Sequence, residues 1–182
     1  LAQYTTNLFS TLEQETGQAT GFQQRGSVSV APNEERFEEL KRGASMARCF
    51  GLEVDIITPA DIKDLVPLAN VDDIVGGVHL PNDGVTNPID TTQALARGAR
   101  SRGARIIENV RVDEIVVEHG RAVGVRYDTG EGTGEIRADV VVNAAGMWAR
   151  ALGDRAGAVV PLHAAEHFYI VTEAVEIGRA HV

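Results

Sequence analysis

The sequence predicts a mixed fold of helices and strands, of the α/β (α+β) class. Amphipathic helical segments alternate with short strand-like segments through the first part of the chain. Further strand-like runs then follow one another with only a His119–Gly120 turn and a Gly-rich loop between them, which predicts a β-meander. The β-branched run Val140–Val142 stops at a turn of small residues, Asn143–Gly146, as expected where a strand of a parallel sheet, buried on both faces, ends.

The bulk composition excludes several classes of partner. The chain has 182 residues, 43% hydrophobic and 24% charged, which is enough to bury the core of one domain or parts of two. Its net charge of −9 opposes nucleic-acid binding, because that binding depends on neutralising phosphates with Lys and Arg. No apolar run approaches the length of a membrane span, so no membrane partner is expected. The single cysteine, Cys49, cannot form an internal disulfide and fits a reducing compartment.

Helix-end signals and apolar spacing divide the first part of the chain into elements. Helices are predicted over Leu1–Glu15, from the N-cap Asn33 to Cys49, from the N-cap Thr58 to before Pro67, and over Pro88–Ser101 with Gly103 as its cap. Strands are predicted over Thr20–Ala31, Leu52–Ile57, Ile74–Leu80 and Ala104–Glu108. The double glycine at 76 and 77 is interpreted as a β-bulge, with close approach to a ligand as the alternative.

The meander and the turn after it follow. The three strands are predicted over Val110–Val117, Ala122–Tyr127 and Glu135–Val142, and a short helix over Trp148–Ala156. The Gly-rich loop from Asp128 to Gly134 lacks G-x-G-x-x-G spacing and a following helix, so we do not expect a phosphate loop there. The turn Asn143–Gly146 leaves the backbone bare at the end of a strand, where ligands bind in open α/β sheets. From these residues alone, a ligand site and a plain strand-to-helix turn both fit.

The last predicted strand, Val159–Thr172, concentrates titratable and phenolic side chains. On a strand, His163, His167 and Tyr169 share one face, because successive side chains alternate between faces. The two histidines are then about 13 Å apart, at ~3.3 Å per residue, which is too far for one metal ion. No metal site is expected. A ligand-binding role and a structural role at the edge of a core both remain open for this segment.

Both ends of the chain carry an expectation about its origin. The first residues contain no initiating Met and no basic segment followed by an apolar one, so they are not a secretory signal. The last residues, Glu176–Val182, coincide with one reading frame of a common sequencing-adapter oligonucleotide. We therefore expect a fragment that is open at both ends, with a non-native tail over 176–182; a native polar tail is the alternative. The codons of the parent nucleotide sequence distinguish the two.

Several short motifs occur in a fixed order along the chain. They are GGVHLPNDG at 76–84, Pro88 with TQALA at 92–96, VVNAAGMW at 141–148, and PL at 161–162 with EHFYIVT at 166–172. In order and spacing they resemble the FAD-dependent sarcosine and dimethylglycine dehydrogenase group of the D-amino-acid-oxidase-like flavoproteins. The resemblance implies part of a FAD-binding Rossmann-like domain with a β-meander, interleaved with part of an antiparallel-sheet substrate domain.

The resemblance also implies how the chain is divided. Residues 1–82 would be mostly substrate domain with a leading helix, 83–160 would belong to the FAD domain, and 161–175 would return into the substrate-domain sheet. The G-x-G-x-x-G fingerprint that receives the FAD pyrophosphate does not occur in this chain. We therefore expect this fragment by itself to be inactive.

Specific residues take roles by the same resemblance. The backbone of Val112 would meet the adenine of FAD, and Trp148 would close that end of the sheet. The small residues that would pass close to the adenosine or pyrophosphate are Asn143, Ala144, Ala145 and Gly146. Tyr169, with His167 beside it in an H-x-Y-[IV]-[VI]-T segment, would line the amine pocket and position the amine for oxidation.

The implied activity is oxidation of an N-methyl amine of the sarcosine or dimethylglycine type, by hydride transfer to FAD. The expected substrate is a small N-methyl amino acid, and folate is implied as a further partner of the full-length protein, through a domain outside this chain. The compartment implied is the bacterial cytoplasm or the mitochondrial matrix. The alternatives are another superfamily oxidase or dehydrogenase, acting on glycerol phosphate or a hydroxy acid, and a non-catalytic binding domain.

Overall fold

The computed structural model describes residues 2–168 and residue 170. Its helices are α1 Ala2–Thr16, α2 Glu34–Cys49, α3 Pro59–Leu65, α4 Pro88–Ser101 and α5 Ala149–Arg155, the last preceded by a 3-10 turn at Gly146–Trp148. Its strands are β1 Ser27–Ala31, β2 Asp55–Ile57, β3 Gly76–Leu80, β4 Arg111–Glu118, β5 Arg121–Asp128 and β6 Thr133–Arg137. None of the helices described has the length and apolar content needed to cross a membrane. The mixed fold with antiparallel sheets confirms the predicted fold class.

The contacts divide the chain into two units, one up to Arg105 and one from Ile106. In the first unit, β3 lies between β1 and β2 in an antiparallel sheet. Helix α2 packs on this sheet, with Ala44, Val54 and Val78 at the centre of the contact. Helix α1 packs against α4. The periodic apolar residues predicted for these helices therefore form the faces with which the helices pack.

Residues at helix ends match the local signals in the sequence. The Asn33 side chain accepts a hydrogen bond from the Arg36 backbone N–H at 2.8 Å and begins α2. Thr58 and Asp61 form a capping box, in which each side chain accepts from the other residue's backbone N–H. These contacts lie within four residues of chain, which is why the sequence predicted them.

The double glycine in β3 is not a bulge, which corrects the preferred interpretation. Gly76 and Gly77 pair in regular register with β1. A β-carbon on Gly76 would lie 2.6 Å from the ring of Phe37, and one on Gly77 would lie 2.6 Å from the Ser29 carbonyl oxygen. Both positions need glycine because a helix side chain and a neighbouring strand pack closely against β3 there. The strand itself is regular.

The second unit contains the predicted meander, with strand order β4-β5-β6. The register between β4 and β5 shifts between Val112 and Glu114, so Asp113 forms a β-bulge in β4. Cross-strand ion pairs follow the exposed side of the sheet; they are Arg111–Asp128, Arg126–Glu114, Arg126–Glu135 and Arg137–Glu118.

The predicted strand Glu135–Val142 is too long, and its apolar end is not buried. Strand β6 ends at Arg137, and the Ala138 N–H makes one further hydrogen bond, to the Val123 carbonyl at 2.9 Å. Since β5 begins at Arg121, residues beyond 139 have no strand to pair with in the described part of the chain. Val140 is 74% exposed and Val142 81% exposed. The prediction of a parallel strand buried on both faces is therefore wrong.

Two further predicted strands are not found among the described residues. Residues 104–108 form no strand; the Ala104 N–H instead donates to the Ala99 carbonyl at 3.1 Å, at the end of α4. Residues 159–168 also form no strand, and most of them are exposed. Apolar alternation predicts an extended backbone, but a strand also needs a hydrogen-bonded neighbour. Neither segment has one in the described part of the chain.

Candidate functional site

The turn that follows the meander is shaped by one amide side chain. The Asn143 side-chain oxygen accepts from the Ala145 backbone N–H at 3.3 Å, and its Nδ2 donates to the Ala149 carbonyl at 2.9 Å. Asparagine is suited to this position because it can both accept and donate at a turn. Asn143 thereby ties the turn to the first residue of α5.

Gly146 presents bare backbone at this turn. Its φ of +54° lies in the left-handed region, which residues other than glycine adopt at a cost in free energy. A β-carbon at Gly146 would meet no described heavy atom within 4 Å, and Ala144 is also exposed. The turn is thus open to close approach by another molecule. A ligand site at this turn, as predicted, requires such an opening.

A groove lies beside the turn. It has a volume of about 500 Å³ and is lined by the turn, by α5 and by the segment after it; the lining residues are Gly146, Met147, Arg150, Ala151, Asp154, Leu162, His163 and Ala164. Arg150 and Asp154 face each other at 4.0 Å on α5. The groove is open to solvent and combines apolar residues with one ionic pair. Arg150 was not identified from the sequence.

Val112 lies on β4 immediately before the bulge at Asp113. In the described part of the chain β4 has one neighbouring strand, β5, so it forms an edge of this sheet. An edge strand has backbone N–H and C=O groups along its outer side that no strand pairs. The Val112 residue is 39% exposed. Its position suits a main-chain contact with a ligand.

The remaining predicted site residues are less enclosed. Trp148 ends the 3-10 turn and is 70% exposed, so its ring is not buried against the rest of the described chain. His167 is also exposed and lies outside any helix or strand. Tyr169 lies outside the described residues. The structure therefore brings together Asn143, Ala144, Ala145, Gly146 and Trp148 in one turn, while the proposed roles of His167 and Tyr169 stay predictions.

These residues fit the adenosine end of FAD. An adenine edge can be recognised by one main-chain N–H and C=O pair, which an edge strand can supply at Val112. A pyrophosphate needs close backbone approach, which the open Gly146 permits. The assignment of Val112 and the turn to FAD remains a prediction.

Curated relatives resemble nearly the whole chain. Mitochondrial sarcosine dehydrogenase of Homo sapiens is 45% identical over 91% of this chain, and mitochondrial dimethylglycine dehydrogenase of Rattus norvegicus is 38% identical over 95%. The mitochondrial pyruvate dehydrogenase phosphatase regulatory subunit of Mus musculus is also 38% identical, over 94% of the chain. The chain spans about a fifth of the length of these relatives, between 18% and 20%.

A solved structure shares the fold. The L-proline dehydrogenase from P. horikoshii matches 85% of this chain with a TM-score of 0.71 and 28% sequence identity, and the match covers 40% of that protein. The model of the FAD dependent oxidoreductase (DAO) family matches residues 1–181. Both findings agree with the resemblance that the motifs predicted. The chain belongs to the DAO family of FAD dependent oxidoreductases.

Proposed function

We propose that the full-length protein oxidises a small N-methyl amino acid, of the sarcosine or dimethylglycine type, with FAD as its cofactor. The observation that carries the proposal is the 45% identity to sarcosine dehydrogenase over 91% of this chain. The open turn at Gly146 and the edge strand that carries Val112 support it from the geometry, since both suit a flavin dinucleotide.

In this proposal the described residues hold the far end of the cofactor. Val112 meets the adenine through its main chain, and residues 143–146 lie along the adenosine or pyrophosphate, with Trp148 beside them. FAD, when bound, supplies the hydride acceptor. The reacting N-methyl carbon then lies near Tyr169 and His167 rather than near the turn. The phenol and the imidazole hold the amine in place and favour its neutral form, which is the form that can be oxidised.

Flavin reduction by candidate substrates tests the proposal. The full-length protein is purified and mixed anaerobically with sarcosine, dimethylglycine, glycerol 3-phosphate or a 2-hydroxy acid, and the flavin absorbance is followed. We expect bleaching by an N-methyl amino acid alone. Bleaching by glycerol 3-phosphate or the hydroxy acid would replace this substrate class with another one from the same family.

A substitution at Tyr169 tests the proposed pocket. Replacing Tyr169 with Phe removes the hydroxyl group but keeps the ring. Tyr4→Phe makes the same change at a tyrosine of α1 that is 68% exposed, so it is the matched control. We expect Tyr169→Phe to slow flavin reduction about 10²-fold, as loss of a positioning or acid–base group does, and to move its pH profile. An unchanged rate and an unchanged profile would exclude Tyr169 from the pocket.

Folate and the compartment are also part of the proposal. Hydrolysis of the oxidised N-methyl group releases formaldehyde, which a folate-binding domain of the full-length protein would capture. We expect added tetrahydrofolate to lower the free formaldehyde released per turnover. The compartment proposed is the cytoplasm of a bacterium or the mitochondrial matrix, and localisation of the full-length protein tests it.

A second candidate is a non-catalytic regulatory role. The 38% identity to a phosphatase regulatory subunit favours it, because that relative is named for regulation rather than for oxidation. The flavin experiment separates the two functions. A full-length protein that purifies without flavin, or whose flavin is reduced by none of the four compounds, would favour the regulatory role.

A further inference from the structure

The two predicted contacts with the adenosine or pyrophosphate part of FAD lie on different elements of the second unit. Val112 is on β4, and the turn 143–146 leads into α5. Asn143 is bound to the first residue of α5, since its Nδ2 donates to the Ala149 carbonyl. The position of the turn therefore follows the position of α5. What attaches α5 to β4 sets the geometry between the two contacts.

One of the contacts that attach α5 to β4 is a hydrogen bond from a side chain at the end of the helix. Arg155 Nη1 donates a hydrogen bond of 2.7 Å to the backbone carbonyl of Asp113, which is 42 residues away in sequence. Asp113 is the bulged residue of β4, next to Val112. A bulge places one residue outside the regular ladder, so its carbonyl needs another donor. The Arg155 guanidinium supplies that donor.

Ion pairs also hold the bulge in place. The Asp113 carboxylate accepts from Arg111 Nε at 2.7 Å, and Arg111 Nη2 reaches Asp128 on β5 at 2.9 Å. Helix α5 also packs on β4, with Ala149 only 6% exposed. The main chain around Val112 is thus fixed between β5 and α5. Arg155 is the group whose hydrogen bond crosses from the helix to the bulge.

We propose that Arg155 is a positioning residue that sets the separation between the Val112 backbone and the turn 143–146, and so the affinity of the protein for the adenosine half of FAD. The inference rests on the proposed function, because that function assigns both contacts to FAD. It requires no contact between Arg155 and the cofactor.

Binding of FAD and FMN to the flavin-free full-length protein tests this role. FMN lacks the adenosine half, so it reports the isoalloxazine site alone. We expect Arg155→Gln to weaken FAD binding about tenfold, the lower end of the effect expected when a hydrogen bond from a charged group is lost. FMN binding should be unchanged. Arg155→Lys keeps a cationic donor and should recover part of the FAD affinity.

Arg121 is the matched control. Its Nη2 also donates to a backbone carbonyl in this unit, that of Asp139, at 3.1 Å. Arg121→Gln should leave both affinities unchanged. If Arg155→Gln binds FAD as tightly as the unsubstituted protein, or loses FAD and FMN binding by the same factor, the positioning role is overturned. Should Arg155→Gln not fold, Arg155→Lys is measured instead, and the positioning role is overturned if that variant loses FAD and FMN binding by the same factor. An unsubstituted protein that binds no FAD would instead overturn the proposed function.

Discussion

Gly146 adopts a left-handed backbone conformation, with φ +54°, in open surroundings. Glycine is therefore favoured at this position by its backbone conformation and not by a lack of space for a side chain. Gly157 has a φ of +72° and equally open surroundings. We expect Gly146→Ala and Gly157→Ala each to lower the free energy of unfolding by about 1 kcal/mol, because a side chain is strained there. Only Gly146→Ala should also weaken FAD binding, as measured by titration of the flavin-free protein. Equal FAD affinity in both variants would remove Gly146 from the cofactor site.

Gly77 shows the opposite case, in which packing excludes a side chain. A β-carbon there would lie 2.6 Å from the Ser29 carbonyl oxygen and 3.0 Å from Ile62 Cδ1. We expect Gly77→Ala to destabilise the protein by about 1–3 kcal/mol through overpacking. Gly43, in the middle of α2, has no heavy atom within 4 Å of such a carbon. Gly43→Ala should therefore stabilise by about 0.5–1 kcal/mol through helix propensity. Urea unfolding of the full-length protein compares them, and a tolerated Gly77→Ala would contradict the close packing.

At the scale of elements, the N-terminal cap of α3 lowers the pKa of a carboxylate that belongs to it. The Thr58 hydroxyl donates to the Asp61 carboxylate at 2.7 Å. This hydrogen bond and the one from the Thr58 backbone N–H lower the pKa of Asp61 below its ordinary value of 3.8. We expect Thr58→Ala to raise that pKa part of the way back, because the backbone hydrogen bond remains. Carboxyl NMR titration measures it. Thr92→Ala, which removes a hydroxyl that donates to the Pro88 carbonyl within α4, is the control.

The sign of the pH dependence follows from the lowered pKa. A carboxylate whose pKa is lowered by folding adds stability above the pKa of the unfolded chain, and that stability is lost as the pH falls through the folded value. The difference in stability between the unsubstituted protein and Thr58→Ala should therefore shrink as the pH falls below about 4. A difference that is constant with pH would show that the Asp61 carboxylate does not take part in the cap.

At the scale of the whole molecule, binding of the cofactor should raise the stability of the folded protein. A ligand that binds only the folded state stabilises it by about 2.7 kcal/mol at a concentration of 100 times Kd. We expect FAD to raise the melting temperature of the flavin-free full-length protein, and to raise it less in Gly146→Ala than in Gly157→Ala. FMN, which cannot reach Val112 or the turn, should give a smaller rise. Equal rises with FAD and FMN would contradict an adenosine site in the second unit.

The family and most of the elements were predictable because their signals are local. The helix caps Asn33 and Thr58 bind within their own first turn, and α4 runs over Pro88–Ser101 as predicted. The first two meander strands were predicted from alternation and turn residues with small shifts at their ends. The third strand ends at Arg137, five residues before its predicted end at Val142. The turn residues 143–146 were identified by their small size and by the order of the surrounding motifs.

The tertiary structure decided what depends on distant partners. Val140–Val142 has the composition of a buried strand, yet no strand lies beside it in the described part of the chain, and burial follows from a neighbour rather than from composition. The close packing at Gly76 depends on Phe37, far away in sequence. The hydrogen bond from Arg155 to Asp113 spans 42 residues and has no motif. Sequence alone determined the family and the local elements, because both are written in short segments; the contacts that hold the candidate site together required the folded chain.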